Sequence, residues 1–179
     1  KSRGKLAHNA VVGTVMSNMG FIRFCEENGM RFEAAKVGDR YVLETMRQND
    51  YNFGGEQSGH VIFLDFGTTG DGQLTGAHLL SLVHRREAKL SSLATLMTRF
   101  PQVLVNVEVS NEGKLRFYTD RKIKEATQRV QNQLGRKGRI LVRPSGTEPL
   151  LRVMVEGESE AEIQELANYV ADVIREQLV

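Results

Sequence analysis

The 179 residues predict an α/β unit, with a mixed sheet and helices, followed by an α+β unit whose antiparallel sheet has one exposed face. Three observations carry this. Up to about residue 90, strand-like and helix-like segments alternate. Beyond Pro101, Val103, Val105, Val107 and Val109 recur at every second position, the period of a strand with one buried face. The remaining patterns run β-α-β-β-α, with two strands separated by a short loop rich in Pro and Gly.

The elements follow in order. AVVGTV at 10–15 is a β-branched strand, and SNMGFIRFCEENG after it has apolar helix positions, Ser17 as a cap and Gly29 as a stop. MRFEAAKV and DRYVLETMRQ repeat the strand and helix. HVIFLDF at 60–66 is apolar on both faces, as expected of a strand inside a covered sheet. DGQLTGAHLLSLVHRRE reads as a helix opened by Asp71 and closed by basic residues that suit its negative end. The boundary between the units falls between residues 90 and 100, and division after Thr95 gives units 1–95 and 96–179. In the second unit, Ile123, Ala126, Val130 and Leu134 lie at helical spacing. RILV and LLRVMVE then form a strand pair. The last helix opens at Ser159 and Glu162, a capping box, and buries Ile163, Leu166, Val170, Val173 and Ile174.

Composition narrows the function. Lys and Arg total 24 against 22 Asp and Glu, spread evenly over the two units, so there is no basic stripe for nucleic acid. A single cysteine, Cys25, excludes a disulfide framework or a thiolate metal site within the chain and suits a reducing cytoplasm. No apolar run is long enough to be a membrane span.

Two loops carry the chemistry. In RPSGTEPLLR, residues 143–152, Pro144 and Pro149 stiffen the chain, Gly146 lets the backbone turn its N–H groups to one point, and Ser145 and Thr147 add hydroxyl donors. Arg143 and Arg152 bring two guanidinium forks, whose geometry matches phosphate oxygens. The alternative is a stiff hairpin loop with solvated arginines. In GGEQSGH, residues 54–60, Gly54, Gly55 and Gly59 flank short polar side chains. Glu56 accepts and Ser58 both donates and accepts, which suits neighbouring sugar hydroxyls; the alternative is a glycine-rich turn. His60 reads as a general acid/base or as a satisfied histidine at a strand start.

Together, GGEQSGH and RPSGTEPLLRVM resemble the sugar-recognition and phosphate loops of the α-D-phosphohexomutases. The GEQSGH form, with VGDRYV and TTGDG, is most similar to members acting on glucosamine phosphates. The resemblance implies the later part of such an enzyme: a partial third domain and a complete fourth. It implies Glu56 and Ser58 on sugar hydroxyls, His60 near the reacting oxygen, and Arg143, Ser145, Gly146, Thr147 and Arg152 around the phosphate that is not transferred. Asp39 stands where relatives acting on neutral sugars tend to carry histidine; it reads either as a contact to an amino sugar or as a helix cap. The implied reaction interconverts glucosamine 6-phosphate and glucosamine 1-phosphate through a phosphoserine and a bisphosphate. The family's S-H-N-P nucleophile loop and D-G-D-x-D-R magnesium loop do not occur in these residues. The chain is therefore expected to bind no Mg2+ itself, although the full-length enzyme would use it, and to be inactive alone. Its expected partners are a phosphosugar and the N-terminal domains of the same polypeptide. A sheet left uncovered by their loss would favour a homodimer. The competing expectations are a mutase for glucose or mannose phosphates and a phosphosugar-binding module without chemistry.

Overall fold

The computed structural model describes residues 3–179 and divides into two compact units, one up to Arg99 and one from Phe100. The division lies four residues beyond the position chosen from sequence.

In the first unit, β1 (Ala10–Thr14) pairs in parallel with β2 (Arg31–Ala35) and with β3 (Phe53–Gly55), and β4 (Val61–Phe63) lies antiparallel to β3, giving the order β2-β1-β3-β4. All five residues of β1 are buried, so the continuous apolar run predicted for a covered strand belongs to this one. Helix α1 (Met19–Glu27) joins β1 to β2, and α2 (Asp39–Gln48) joins β2 to β3. Ala10 and Val12 point into a core with Val42 and Met46 of α2, Tyr51 and Ile62. Helix α3 (Gly72–Arg86) starts at Asp71, whose carboxylate accepts the Leu74 N–H, and carries His84, Arg85 and Arg86 in its last turn. A short α4 (Leu90–Leu93) follows.

Two expectations change here. The cap of α1 is Asn18, whose side chain accepts the Gly20 N–H at 3.0 Å; the Ser17 hydroxyl instead accepts the N–H of Thr14. HVIFLDF supplies only a three-residue strand, and at the edge of the sheet. Its chain turns at Phe63, whose carbonyl accepts the N–H groups of both Phe66 and Gly67, leaving Phe66 exposed. An apolar run does not itself reveal where a strand stops.

In the second unit, β5 (Gln102–Glu108), β6 (Arg139–Pro144) and β7 (Leu150–Glu156) form an antiparallel sheet in the order β5-β7-β6. Helices α6 (Arg121–Leu134) and α7 (Glu160–Leu178) cover one face. The buried positions of α6 are Ile123, Ala126, Val130 and Leu134, as the spacing predicts. On α7 the stripe includes Ala167 and Ala171 as well, with Val173 only partly buried. Ser159 caps α7 by accepting the Glu162 N–H.

The β-α-β-β-α order also gains an element. Helix α5 (Asn111–Phe117) precedes α6, capped by Ser110. Gly113 within it disfavours a helix intrinsically, but a Cβ there would stand 3.3 Å from the Leu178 carbonyl, so tertiary packing selects glycine.

At one end of the sheet, cross-strand partners Arg139 and Glu156 form an ion pair at 2.6 Å, with Glu156 fully buried. Removing the arginine would take an ion-pair partner from a fully buried carboxylate. Arg139→Ala is expected to lower the unfolding free energy by about 3–5 kcal/mol in urea denaturation; a loss below ~1 kcal/mol would show that the pair does not hold this edge. Cys25 is buried on α1, and burial, helped by the Glu26 charge, pushes its thiol up to about 11. A thiol-specific reagent at pH 8 should therefore label it only as the unit unfolds. Stoichiometric labelling of the native protein would contradict that burial.

Candidate functional site

The loop between β6 and β7 is held at both ends by the ladder. Register places Arg143 directly opposite Arg152, and Asn106 of β5 opposite Arg152 on its other side. Directly opposed residues share a face, with Cβ atoms about 4.5–5.5 Å apart. Two like charges are thereby held side by side, which is unfavourable unless an anion lies between them. The Arg143 guanidinium is held below its ordinary pKa, first by burial and then by the charge of Arg152. Neither arginine's Nε has a hydrogen-bond partner, although both atoms are buried. Orphaned buried donors of this kind call for an acceptor.

The loop backbone is fixed from within. The Ser145 N–H donates to the Leu150 carbonyl at 2.9 Å, and the Glu148 N–H donates to the Ser145 hydroxyl at 3.2 Å. From α5, Lys114 Nζ donates to the Ser145 carbonyl at 2.8 Å. Carbonyl and N–H of a trans peptide point in opposite directions, so this bond turns the Gly146 N–H away from Lys114. The N–H groups of Gly146 and Thr147 have no acceptor among the described residues. The nest is thus narrower than the sequence predicts. Gly146 does not adopt a positive φ, and the N–H of Ser145 is spent on the hairpin. Ser145 itself is buried, and its hydroxyl also donates to the Glu148 carboxylate at 3.3 Å. Glu148 in turn accepts from Arg152. Two guanidinium groups and two free backbone donors at one loop can receive a tetrahedral oxyanion.

The second loop is built on α2. One Glu56 oxygen accepts the Gly38 N–H at 2.9 Å, at the start of α2, where carboxylates are favoured by the helix dipole. Its backbone N–H donates to the His60 carbonyl at 2.8 Å, and the Gly59 N–H donates to the Glu56 carbonyl at 3.1 Å. Ser58 and His60 share a hydrogen bond at 3.3 Å, Oγ to Nδ1, and both are exposed. Asp39 is the first residue of α2 and is exposed; Gly38, not Asp39, is the cap, and the Asp39 carboxylate accepts only the adjacent Arg40 N–H. Asp39, Glu56, Ser58 and His60 therefore belong to one cluster around the start of α2, linked through the Gly38–Glu56 bond. Glycines in this loop serve packing as well as access: a Cβ at Gly54 would lie 2.7 Å from Met46 Sδ, and one at Gly55 2.7 Å from the His60 carbonyl. Only Gly59, at φ +102°, is required by backbone conformation.

Sequence reasoning missed Lys114 and Glu148. Glu148 stands within RPSGTEPLLR, between Pro144 and Pro149, where the turn signals of the loop mask its role. Lys114 depends on α5, whose glycine hid the helix. No group of three or more His, Cys, Asp or Glu side chains suited to a metal ion occurs among the described residues. No helix among the described residues is long and apolar enough to cross a membrane.

Comparison with known proteins follows the two units. Residues 1–100 match phosphoglucomutase/phosphomannomutase, alpha/beta/alpha domain III, and residues 104–173 match the C-terminal domain of the same family. The chain is 52% identical over 178 residues to the phosphoglucosamine mutase of Caldanaerobacter subterraneus subsp. tengcongensis and 48% identical to that of Clostridioides difficile. In each case 99% of this chain is covered, and it spans 40% of the relative's length. In fold it resembles Aspergillus fumigatus N-acetylphosphoglucosamine mutase, solved in complex with GlcNAc-6P and magnesium, with a TM-score of 0.79 at 18% identity; 95% of this chain and 39% of that one superimpose. Two consecutive domain matches and a shared fold place this chain in the phosphoglucomutase/phosphomannomutase, or phosphohexomutase, family, as its domain III and C-terminal domain.

Proposed function

We propose that this chain is the substrate-gripping part of a phosphoglucosamine mutase, which interconverts glucosamine 6-phosphate and glucosamine 1-phosphate. The observation that carries the reading is the opposed pair Arg143 and Arg152, with buried Nε atoms lacking acceptors beside the free N–H groups of Gly146 and Thr147. Those donors would hold the phosphate that is not transferred. The cluster of Asp39, Glu56, Ser58 and His60 would take the sugar. Glu56 keeps one oxygen free of the Gly38 bond for a hydroxyl, and exposed Asp39 would favour an ammonium over a hydroxyl. His60, tied to Ser58, would stand near the reacting oxygen as an acid or base.

The nucleophilic serine and the magnesium site would lie in other parts of the polypeptide, since these residues contain neither the S-H-N-P loop nor a fitting metal cluster. The identity of about half to enzymes of this name supports the amino-sugar assignment over glucose or mannose phosphates. A cytoplasmic setting goes with the reading, in line with a chain whose one cysteine forms no internal disulfide.

The test uses the full-length enzyme. Arg143→Lys keeps the charge but loses the fork, and is expected to remove on the order of 1–3 kcal/mol of charge-assisted hydrogen bonding. Because the distal phosphate is gripped in both directions, kcat/KM should fall about 5- to 150-fold for each. If Arg143→Lys changed neither while Glu56→Ala abolished activity, the loop would be a stiff turn and not a phosphate site. Glucosamine phosphates should also be preferred over glucose and mannose phosphates, and Asp39→His should narrow that preference. The 179-residue chain alone is expected to show no turnover, with or without magnesium.

A further inference from the structure

Within the loop that the proposed function treats as the phosphate site, one polar group is an acceptor of the wrong kind. Glu148 lies in the motif RPSGTEPLLR, yet a carboxylate in a phosphate site repels its ligand. Its Oε2 accepts from Arg152 and from the Ser145 hydroxyl, two of the donors a phosphate would need. The buried Nε of Arg143, the other half of the pair, has no partner, and the N–H groups of Gly146 and Thr147 have no acceptor among the described residues. The carboxylate thus satisfies one side of the site and leaves the other open. Its side chain is half exposed, so it can leave without disturbing the core. The Glu148 backbone N–H stays anchored on the Ser145 hydroxyl, so the loop need not move with it.

We infer that Glu148 is a resident competitor for the phosphate: its carboxylate holds Arg152 in the empty site and is displaced when a phosphate enters. A carboxylate has two oxygens and one charge. A phosphate dianion has more acceptor oxygens and twice the charge, so it can bridge both arginines and reach the free backbone donors. The exchange makes the site selective. A singly charged anion reaching Arg152 gains little that Glu148 does not already provide, whereas a dianion completes contacts that Glu148 leaves unmade. The same competition weakens the hold on phosphate, which speeds its release. The inference rests on the phosphate-site reading, and the test separates the two.

Inorganic phosphate is titrated into the 179-residue chain at fixed ionic strength and followed by NMR of the loop amides and arginine Nε–H groups. Glu148→Gln keeps an oxygen for Arg152 but removes the charge. It is expected to lower the phosphate dissociation constant about tenfold, or ~1.4 kcal/mol. Glu148→Ala should act in the same direction. Arg143→Ala, in either background, should abolish binding. If Arg143→Ala abolished binding while both Glu148 variants bound phosphate no more tightly than the parent, the phosphate site would stand and Glu148 would be merely a prop for Arg152. If Arg143→Ala left the affinity unchanged, or no variant bound phosphate, the site itself would be misplaced and the competitor role would fall with it.

Discussion

The second unit depends on the register of one strand. β7 is the central strand of three, paired along its length with β5 and with β6, and five of its seven residues are less than 2% exposed. Because the side-chain period is two, that register does two things together. It sends Leu151, Val153 and Val155 into the core beneath α6 and α7, and it sets Arg152 on the opposite face beside Arg143. A slip by one residue would expose the core and separate the guanidinium groups. Burial of the apolar face therefore enforces an arrangement of charges that would not form by itself. The Arg139–Glu156 pair, four residues along the same ladder, uses the register in the opposite sense, setting unlike charges side by side where no ligand is needed.

In the first unit the equivalent constraint is the closeness of β3 to α2. Gly54 lets the strand approach Met46 and Val42, and this brings the chain that follows it to the start of α2, where Glu56 meets the Gly38 N–H. The polar cluster of Asp39, Glu56, Ser58 and His60 is thus a by-product of helix packing against a short strand. A larger residue at Gly54 would act on the cluster at a distance, by moving the loop.

Legibility in the sequence followed the physics of each signal. Alternation along 103–109 and helical spacing along α6 were readable because one buried face imposes a period: the structure buries Val107, Val109 and the four marked positions of α6, and packs Val103 and Val105 partly buried against the same core. The family was readable from the two loops, whose residue types are tied to particular ligands. What was not readable depended on contacts between distant segments. Asn18 rather than Ser17 caps α1 because the Ser17 hydroxyl is taken by Thr14. Helix α5 carries a glycine that propensity alone disfavours, and a Cβ at Gly113 would stand 3.3 Å from the Leu178 carbonyl of α7. HVIFLDF reads as an interior strand but supplies only Val61–Phe63 at the edge, since hydrophobicity reports burial but not the point at which the chain turns. The narrower nest has the same origin: the hairpin claims the Ser145 N–H, a competition visible only once the strands are paired.

The arrangement at the β6–β7 loop shows why fixing donors in advance matters for an anion site. In water, a flexible arginine must be ordered and stripped of solvent when its ligand arrives, and both costs reduce affinity. Here the sheet orders the two guanidinium groups and burial removes solvent from their Nε atoms during folding. Lys114 orients the peptide that carries the Gly146 N–H. What remains at binding is the contact itself, made to donors that already converge on one loop. Such a site would hold any small anion tightly and release it slowly, unless something within the protein opposed it. A carboxylate placed two residues beyond Gly146 on the same loop provides that opposition without altering the donors, so the rigidity that gives recognition need not prevent release.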